Sequence, residues 1–174
     1  MTPYEQGGLD GLCAIYSIVN AARIISGIRD AKAKQLFRKI LEYLEQSKEL
    51  SMVLSEGIGL ITISGILRDV VGHLIPYRSI PYKNLPQTPL DEFWNEMIRF
   101  LHGGRKRAII ICLGGPMWDH WSIVHEITER QIRFFDSHKL RQLNRTRCTT
   151  TRSTYRRPHV LSPTHTYFLS SKPQ

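Results

Sequence analysis

The sequence of 174 residues has few cysteines and no long apolar run. Its three cysteines (Cys13, Cys112 and Cys148) are too few and too scattered for a disulfide framework, and an odd number indicates thiols that stay reduced. No pair of His or Cys residues has the spacing of a zinc site, so we expect neither a metal nor a cofactor. The longest apolar runs, such as 108–113, are far shorter than the roughly 20 residues of a membrane-spanning helix.

The N-terminus also lacks the pattern of a secretory signal peptide. No basic region followed by an apolar one is present in the first residues. Together with reduced thiols, this indicates a cytosolic working environment, either in the cell that makes the protein or in a host or target cell that receives it by another route. At this length a single domain over 1–174 is expected, since it buries roughly 70% of its unfolded surface without a disulfide or metal.

Acidic residues are absent from one stretch of a basic chain. Lys and Arg number 24 and Asp and Glu 15, so the formal net charge is +9. The stretch 139–157, here called the basic segment, contains seven cations and no acid: Lys139, Arg141, Arg145, Arg147, Arg152, Arg156 and Arg157. It is rich in Thr and Ser and poor in apolar residues, which predicts a long solvated loop. Contact with phosphates, a membrane surface or an acidic partner is the alternative.

Nucleic acid is the least favoured partner for the basic segment. Only Tyr155 lies among its cations, so it offers no platform on which successive bases could stack. The rest of the chain contains no recognised nucleic-acid-binding motif.

Apolar residues recur at helical spacing in the first hundred residues and at strand spacing afterwards. Four helices are predicted, over 13–26, 30–49, 59–72 and 90–102. Four strand regions are predicted, over 75–80, 107–113, 120–136 (an antiparallel hairpin) and 166–169. This order predicts an α+β fold in which N-terminal helices pack on a C-terminal antiparallel sheet.

Three residue types suited to nucleophilic catalysis lie at the ends of predicted elements. Cys13 begins the first helix, where the positive end of the helix dipole stabilises a thiolate. His120 opens a strand after the Gly/Pro-bounded loop 114–119, so its ring can reach a cleft at the sheet edge. Asp136 ends the paired strand, where its carboxylate can orient the imidazole. Gln6 and the Cys13 backbone N–H can donate to a developing oxyanion.

Three motifs resemble the papain-like cysteine peptidase superfamily. They are GLCAIYS at 11–17, preceded by Gln6, then DHWSIV at 119–124 and FFDS at 134–137. They are most similar to the compact bacterial branch that includes the peptidase domains of bacteriocin exporters. The resemblance implies a nucleophilic Cys13, a general base His120, an orienting Asp136 and an oxyanion-hole Gln6. The interval from Gln6 to Cys13 is about one residue longer than the family pattern.

Four further residues are candidates for roles near this predicted site. Asp119 adjoins the base and can influence substrate charge or turn the loop. His138 can contact substrate. Trp121 either covers the His–Asp pair or belongs to the core, and the core is favoured. Asn20 lies two helical turns after the cysteine, which favours a structural polar contact near the site.

The expected function is that of a thiol hydrolase that cleaves a peptide or amide bond through an acyl-enzyme. Deamidation and acyl transfer to an amine use the same triad and stay open, as does an inactive interaction module that uses the cleft or the basic segment. The basic segment follows Asp136 directly, so recognition of an acidic substrate is a hypothesis. A standalone intracellular enzyme and a bacterial effector or toxin both fit so small a chain. The sequence contains no signal for an oligomeric state.

Overall fold

The computed structural model describes residues 1–7, 11–47, 49–116 and 119–173. Within these residues the α-helices are α1 (Cys13–Ser26), α2 (Asp30–Gln46), α3 (Leu50–Glu56), α4 (Leu60–Gly65) and α5 (Leu90–His102). The strands are β1 (Tyr77–Ser79), β2 (Arg107–Gly114), β3 (His120–Ile127), β4 (Gln131–Phe134), β5 (Gln142–Asn144), β6 (Cys148–Thr149) and β7 (His159–Ser170).

The predicted helices are present, with differences at their ends. The first ends at Gly27, whose φ of 67° is left-handed and whose N–H bonds to Arg23 O, as is common for a helix C-cap. The second ends at Gln46, three residues before its predicted end. The third predicted helix, over 59–72, is α4, and it continues as a π-helix over Ile66–Val70. Helix α3 was not predicted, because seven residues are too few for a clear helical period.

One mixed sheet of seven strands contains every strand of the described residues. Its order is β1-β7-β2-β3-β4-β5, with all neighbours antiparallel, and β6 pairs with β7 in parallel. The predicted hairpin is confirmed as β3 and β4, in which Ile127 lies opposite Ile132. The last strand is longer than predicted, since it runs from His159 to Ser170. The chain is therefore α+β with a predominantly antiparallel sheet.

The sheet is covered on both faces at β2, because the residues of this strand are apolar on both sides. Ala108 and Ile110 belong to a core shared with α1, α2 and the helices that follow. Ile109 and Ile111 belong to a second core that is covered by α5. The prediction that N-terminal helices pack on the sheet is correct for α1, whereas α5 covers the opposite face. A strand whose successive residues are apolar presents an apolar surface on both faces and therefore needs cover on both.

The prediction of a long solvated loop is wrong for part of the basic segment. Residues 142–149 form β5, a 3-10 turn at Arg145–Arg147, and β6. Leu143 and Cys148 are buried in the core beneath α5, so this cysteine is a structural residue. The composition of the segment did not predict these elements, because two buried side chains among exposed cations are enough to fix the path of the chain.

No helix among the described residues is long and apolar enough to cross a membrane. The start of α1 lies against the start of β3, and Asp136 follows the end of β4, so this corner contains the predicted site residues.

Candidate active site

Cys13 is held at the start of α1 by contacts between that helix and β3. The backbone N–H of Trp121 donates to Cys13 Sγ over 3.4 Å. One turn further along α1, the Ser17 hydroxyl donates to the carbonyl of Trp121 over 3.0 Å. The Cys13 side chain is 8% exposed and borders a cleft. The thiol is therefore fixed beside the residue that follows His120 in the chain.

His120 interacts with both Cys13 and Asp136. Its Nε2 lies 2.6 Å from Asp136 Oδ2, which leaves Nδ1 as the ring nitrogen for the thiol. Burial lowers the pKa of His120, but hydrogen bonds to Asp136 and Cys13, and the charges of both, outweigh it and raise the pKa to about 9. At neutral pH the imidazole is therefore mostly protonated, with Asp136 on one side and the Cys13 sulfur on the other.

Asp136 accepts four hydrogen bonds although it is only 3% exposed. Oδ2 accepts from His120 Nε2 and from the Ser122 hydroxyl, each over 2.6 Å. Oδ1 accepts from the backbone N–H groups of His138 and Leu140, over 2.7 and 2.9 Å. Burial raises the pKa of Asp136, but the bonds to His120, Ser122 and Leu140 and the His120 charge outweigh it and lower the pKa overall. The carboxylate thus stays charged and cannot rotate away from the imidazole.

Gln6 lies next to this group because Ser137 fixes it there. The Gln6 backbone N–H donates to Ser137 O over 3.0 Å, and the Ser137 hydroxyl donates to Gln6 Oε1 over 3.1 Å. Since the oxygen of the amide faces Ser137, its nitrogen is the end that can donate to an oxyanion. The longer interval before Cys13 includes residues 8–10, which lie outside the described residues.

Asn20 anchors the segment that carries Gln6. Its Oδ1 accepts from the Tyr4 backbone N–H over 2.9 Å, and its Nδ2 donates to the Tyr4 carbonyl over 3.1 Å. Asn20 is fully buried. The expected structural contact is therefore present, and it links α1 to the N-terminal segment.

A cleft of about 650 Å³ opens over the thiol and the imidazole. Its described lining comes from four parts of the chain: Gln6, Gly11, Cys13, Met52, Ser55, Glu56, Gly57, Ile58, Gly59, Asp119, His120, Trp121 and His138. The structure thus brings Cys13, His120 and Gln6 together at one surface, with Asp136 behind the histidine. Of the loop 114–119, residues 117 and 118 lie outside the described residues.

The three predicted substrate-contacting residues all border this cleft. Asp119 and His138 are exposed there, and the His138 ring centroid lies 6.0 Å from that of His120. Trp121 is mostly a core residue, because its indole N–H donates to Ile58 O over 3.2 Å and its ring lies 6.4 Å from that of Tyr167.

The other two cysteines have surroundings unlike those of a nucleophile. Burial, with smaller contributions from the charges of Asp119 and Cys13, raises the pKa of Cys112 to about 12. Burial likewise raises the pKa of Cys148 to about 12. Both thiols therefore remain protonated at neutral pH.

Three supporting features were missed by sequence reasoning. Helix α3 supplies one wall of the cleft, and its shortness hid it. Ser137 fixes Gln6 over a sequence separation that no local pattern reveals. The position of Ser122 beside Asp136 could have been predicted from the sequence, because Ser122 lies two residues after His120 and so faces the same side of β3.

For the hydrolysis expected from the sequence, the pH dependence of the rate follows from the raised pKa of His120. We expect kcat/KM for an amide substrate to fall about tenfold per pH unit above about pH 9, because the neutral imidazole can no longer protonate the leaving amine. The measurement is a pH–rate profile under kcat/KM conditions. A profile that falls already between pH 6 and 7 would contradict the described coupling of the histidine to Asp136 and Cys13.

No group of three or more His, Cys, Asp or Glu residues in the described parts of the chain is arranged to hold a metal ion. Comparison with protein-family models, curated proteins and solved structures finds no match. Function is therefore inferred from the geometry of this cleft.

Proposed function

We propose that the protein is a thiol hydrolase that cleaves a peptide or amide bond through Cys13, His120 and Asp136. The observation that supports this most strongly is the position of His120, which is hydrogen-bonded to Asp136 on one side and to Cys13 on the other. Nucleophile, base and orienting group are thus in contact beside an open cleft.

Acylation would begin from the state in which the proton of the Cys13 thiol already resides on His120 Nδ1 and the sulfur is a thiolate. The thiolate attacks the substrate carbonyl carbon, and the C–O π electrons move to oxygen to form a tetrahedral oxyanion. The Gln6 amide and the Cys13 backbone N–H donate to this oxygen; first-turn N–H groups of a helix lack helical acceptors. His120 then protonates the leaving nitrogen, the C–N bond breaks, and a thioester remains on Cys13.

Deacylation reverses these roles with a new nucleophile. His120 takes a proton from water as the water oxygen attacks the thioester carbonyl. Collapse of the second tetrahedral species breaks the C–S bond, releases the acid and leaves the thiolate beside the protonated His120. An amine in place of water gives acyl transfer, and a side-chain amide substrate gives deamidation, so these activities are variants of the same proposal.

A papain-like arrangement is part of the proposal. Its support is the placement of the cysteine at the start of a buried helix, of the histidine on an antiparallel strand, and of the aspartate after the neighbouring strand. The chain order Cys13, His120, Asp136 and the preceding Gln6 agree with the motifs that suggested this superfamily.

Selective alkylation tests whether Cys13 is an activated nucleophile. At pH 7 we expect iodoacetamide to modify Cys13 at least about tenfold faster than Cys112 or Cys148, since thiolate and not thiol reacts. Modification is followed by mass spectrometry of peptides, and His120→Ala should slow the reaction at Cys13. Cys112→Ala serves as the matched control, since it should leave labelling at Cys13 unchanged. Equal rates at all three cysteines in the folded protein would refute the proposal.

A further inference from the structure

We infer that the cleft is selective for substrates with a cationic side chain, Lys or Arg, next to the scissile bond. This inference rests on the proposed hydrolase function and deepens it by naming the substrate class. It concerns the charge of the cleft itself, which differs in sign from the charge of the whole chain.

The charged walls of the cleft are acidic on both sides. Glu56 ends α3 on one wall, and Asp119 precedes His120 on the other. Both residues are exposed. No ion pair of the described residues involves either carboxylate. The two negative charges therefore act on whatever enters the cleft.

Lys and Arg are absent from the described lining although the chain has a net charge of +9, and the positive charge of His120 there is paired with Asp136. Within the basic segment, β5 leads away from the cleft, because it runs antiparallel to β4 and places Asn144 opposite Gln131. Arg145 then bonds to Arg130 O at the β3–β4 turn, which is the end of the hairpin remote from His120, and pairs with Asp91 over 2.7 Å. Lys139 lies 3.7 Å from Glu5.

An apolar surface next to Glu56 suits the stem of a long cationic side chain. Met52 is 50% exposed and lines the cleft one helical turn before Glu56, and Ile58 lines it two residues after. Lys and Arg lay their methylene groups on such surfaces while the charged end reaches a carboxylate or water. A negatively charged side chain would meet two like charges and the same apolar wall.

The charge of the cleft can be measured on Cys13 with three small thiol reagents that differ mainly in charge. They are 2-aminoethyl methanethiosulfonate (cationic), 2-sulfonatoethyl methanethiosulfonate (anionic) and methyl methanethiosulfonate (neutral). Rates at Cys13 are measured on the full chain, and the neutral reagent corrects for accessibility and thiolate reactivity. We expect the cation-to-anion rate ratio to fall about threefold with Glu56→Gln or Asp119→Asn, and about tenfold with both.

Glu92→Gln is the matched control, since Glu92 is an exposed carboxylate on α5 outside the cleft lining. It should leave the ratio unchanged. A ratio that the two cleft substitutions do not lower, or that Glu92→Gln lowers equally, would overturn the inference.

Peptide hydrolysis separates this inference from the proposed function. In paired peptides that carry either Lys or norleucine beside the scissile bond, kcat/KM should favour Lys, and Glu56→Gln with Asp119→Asn should reduce that preference. Hydrolysis without any preference supports the hydrolase and overturns the charge inference. If the rate of modification at Cys13 depends on reagent charge as expected but no peptide or amide is hydrolysed, the acidic cleft is supported and the hydrolase function is not.

Discussion

Cys13→Ala should reduce turnover of any amide substrate by about 10⁴-fold or more while leaving the protein folded. The thiol is the only group in the described cleft lining that combines nucleophilic chemistry with contact to His120. Because acylation and deacylation both pass through its sulfur, no neighbouring side chain can replace it. The measurement is kcat on a substrate from a peptide library screen, with unfolding followed by circular dichroism.

The stability of the Cys13→Ala variant should change by only about 1 kcal/mol, since the substitution removes a single buried sulfur atom at a helix end. Cys13→Ser is a second test, because it keeps the shape of the side chain but replaces the thiol with a far weaker nucleophile. Wild-type turnover in the alanine variant would exclude Cys13 as the nucleophile. A large loss of stability would indicate that the residue is structural.

Asp136→Ala should reduce both activity and stability. Removal of this carboxylate leaves four buried or partly buried donors without their acceptor and leaves the His120 charge unbalanced. Loss of one partner from a buried ion pair typically costs about 3–5 kcal/mol of unfolding free energy. Activity should fall about 10³-fold or more, because the imidazole loses its orientation and its stabilising charge.

The stability lost in Asp136→Ala should depend on pH in a defined way. The pKa of Asp136 is lowered in the folded state, so its contribution is present above its unfolded value near pH 4 and lost as pH falls below it. The pKa of His120 is raised to about 9, so its contribution is present below about pH 6.5 and lost as pH rises to 9. Wild type and variant should therefore differ most between about pH 5 and 6.5. Chemical denaturation across this range measures the difference.

Asp136→Asn separates orientation from stability. The asparagine oxygen can still accept from the His138 and Leu140 N–H groups, so the loss of stability should be smaller than in Asp136→Ala. Its NH₂ group would face His120 Nε2 and favour the tautomer with a proton on Nδ1, which cannot accept the thiol proton. Activity should therefore fall nearly as far as in Asp136→Ala. An asparagine variant with nearly wild-type activity would show that the carboxylate is structural only.

The residues that begin and end elements were the most predictable from sequence. Cys13 follows a glycine-rich stretch and starts a regular apolar period, so both the helix and the place of the thiol could be inferred. His120 and Asp136 sit at opposite chain ends of a hairpin whose turn is short, so their proximity followed from antiparallel pairing.

The residues that surround the triad were harder to predict, because each depends on contacts distant in sequence. Gln6 was assigned a role from its amide group and from the resemblance, but its place depends on Ser137, which is 131 residues away. Glu56 belongs to a helix too short to detect. In the basic segment, the buried Leu143 and Cys148 were outweighed by the composition of their neighbours.

Cys13 lies far before His120 and Asp136 in the chain, and this has a consequence for biosynthesis. Trp121 N–H and Cys13 Sγ are separated by 108 residues. A ribosome-bound chain that has emerged only through α5 contains the thiol but neither His120 nor Asp136. Contacts of such long sequence separation form late in folding, since closing the intervening loop costs entropy before any contact compensates for it. Incomplete chains of this protein should therefore be unreactive toward their own translation machinery, and the proposed hydrolase becomes competent only when synthesis has passed the hairpin.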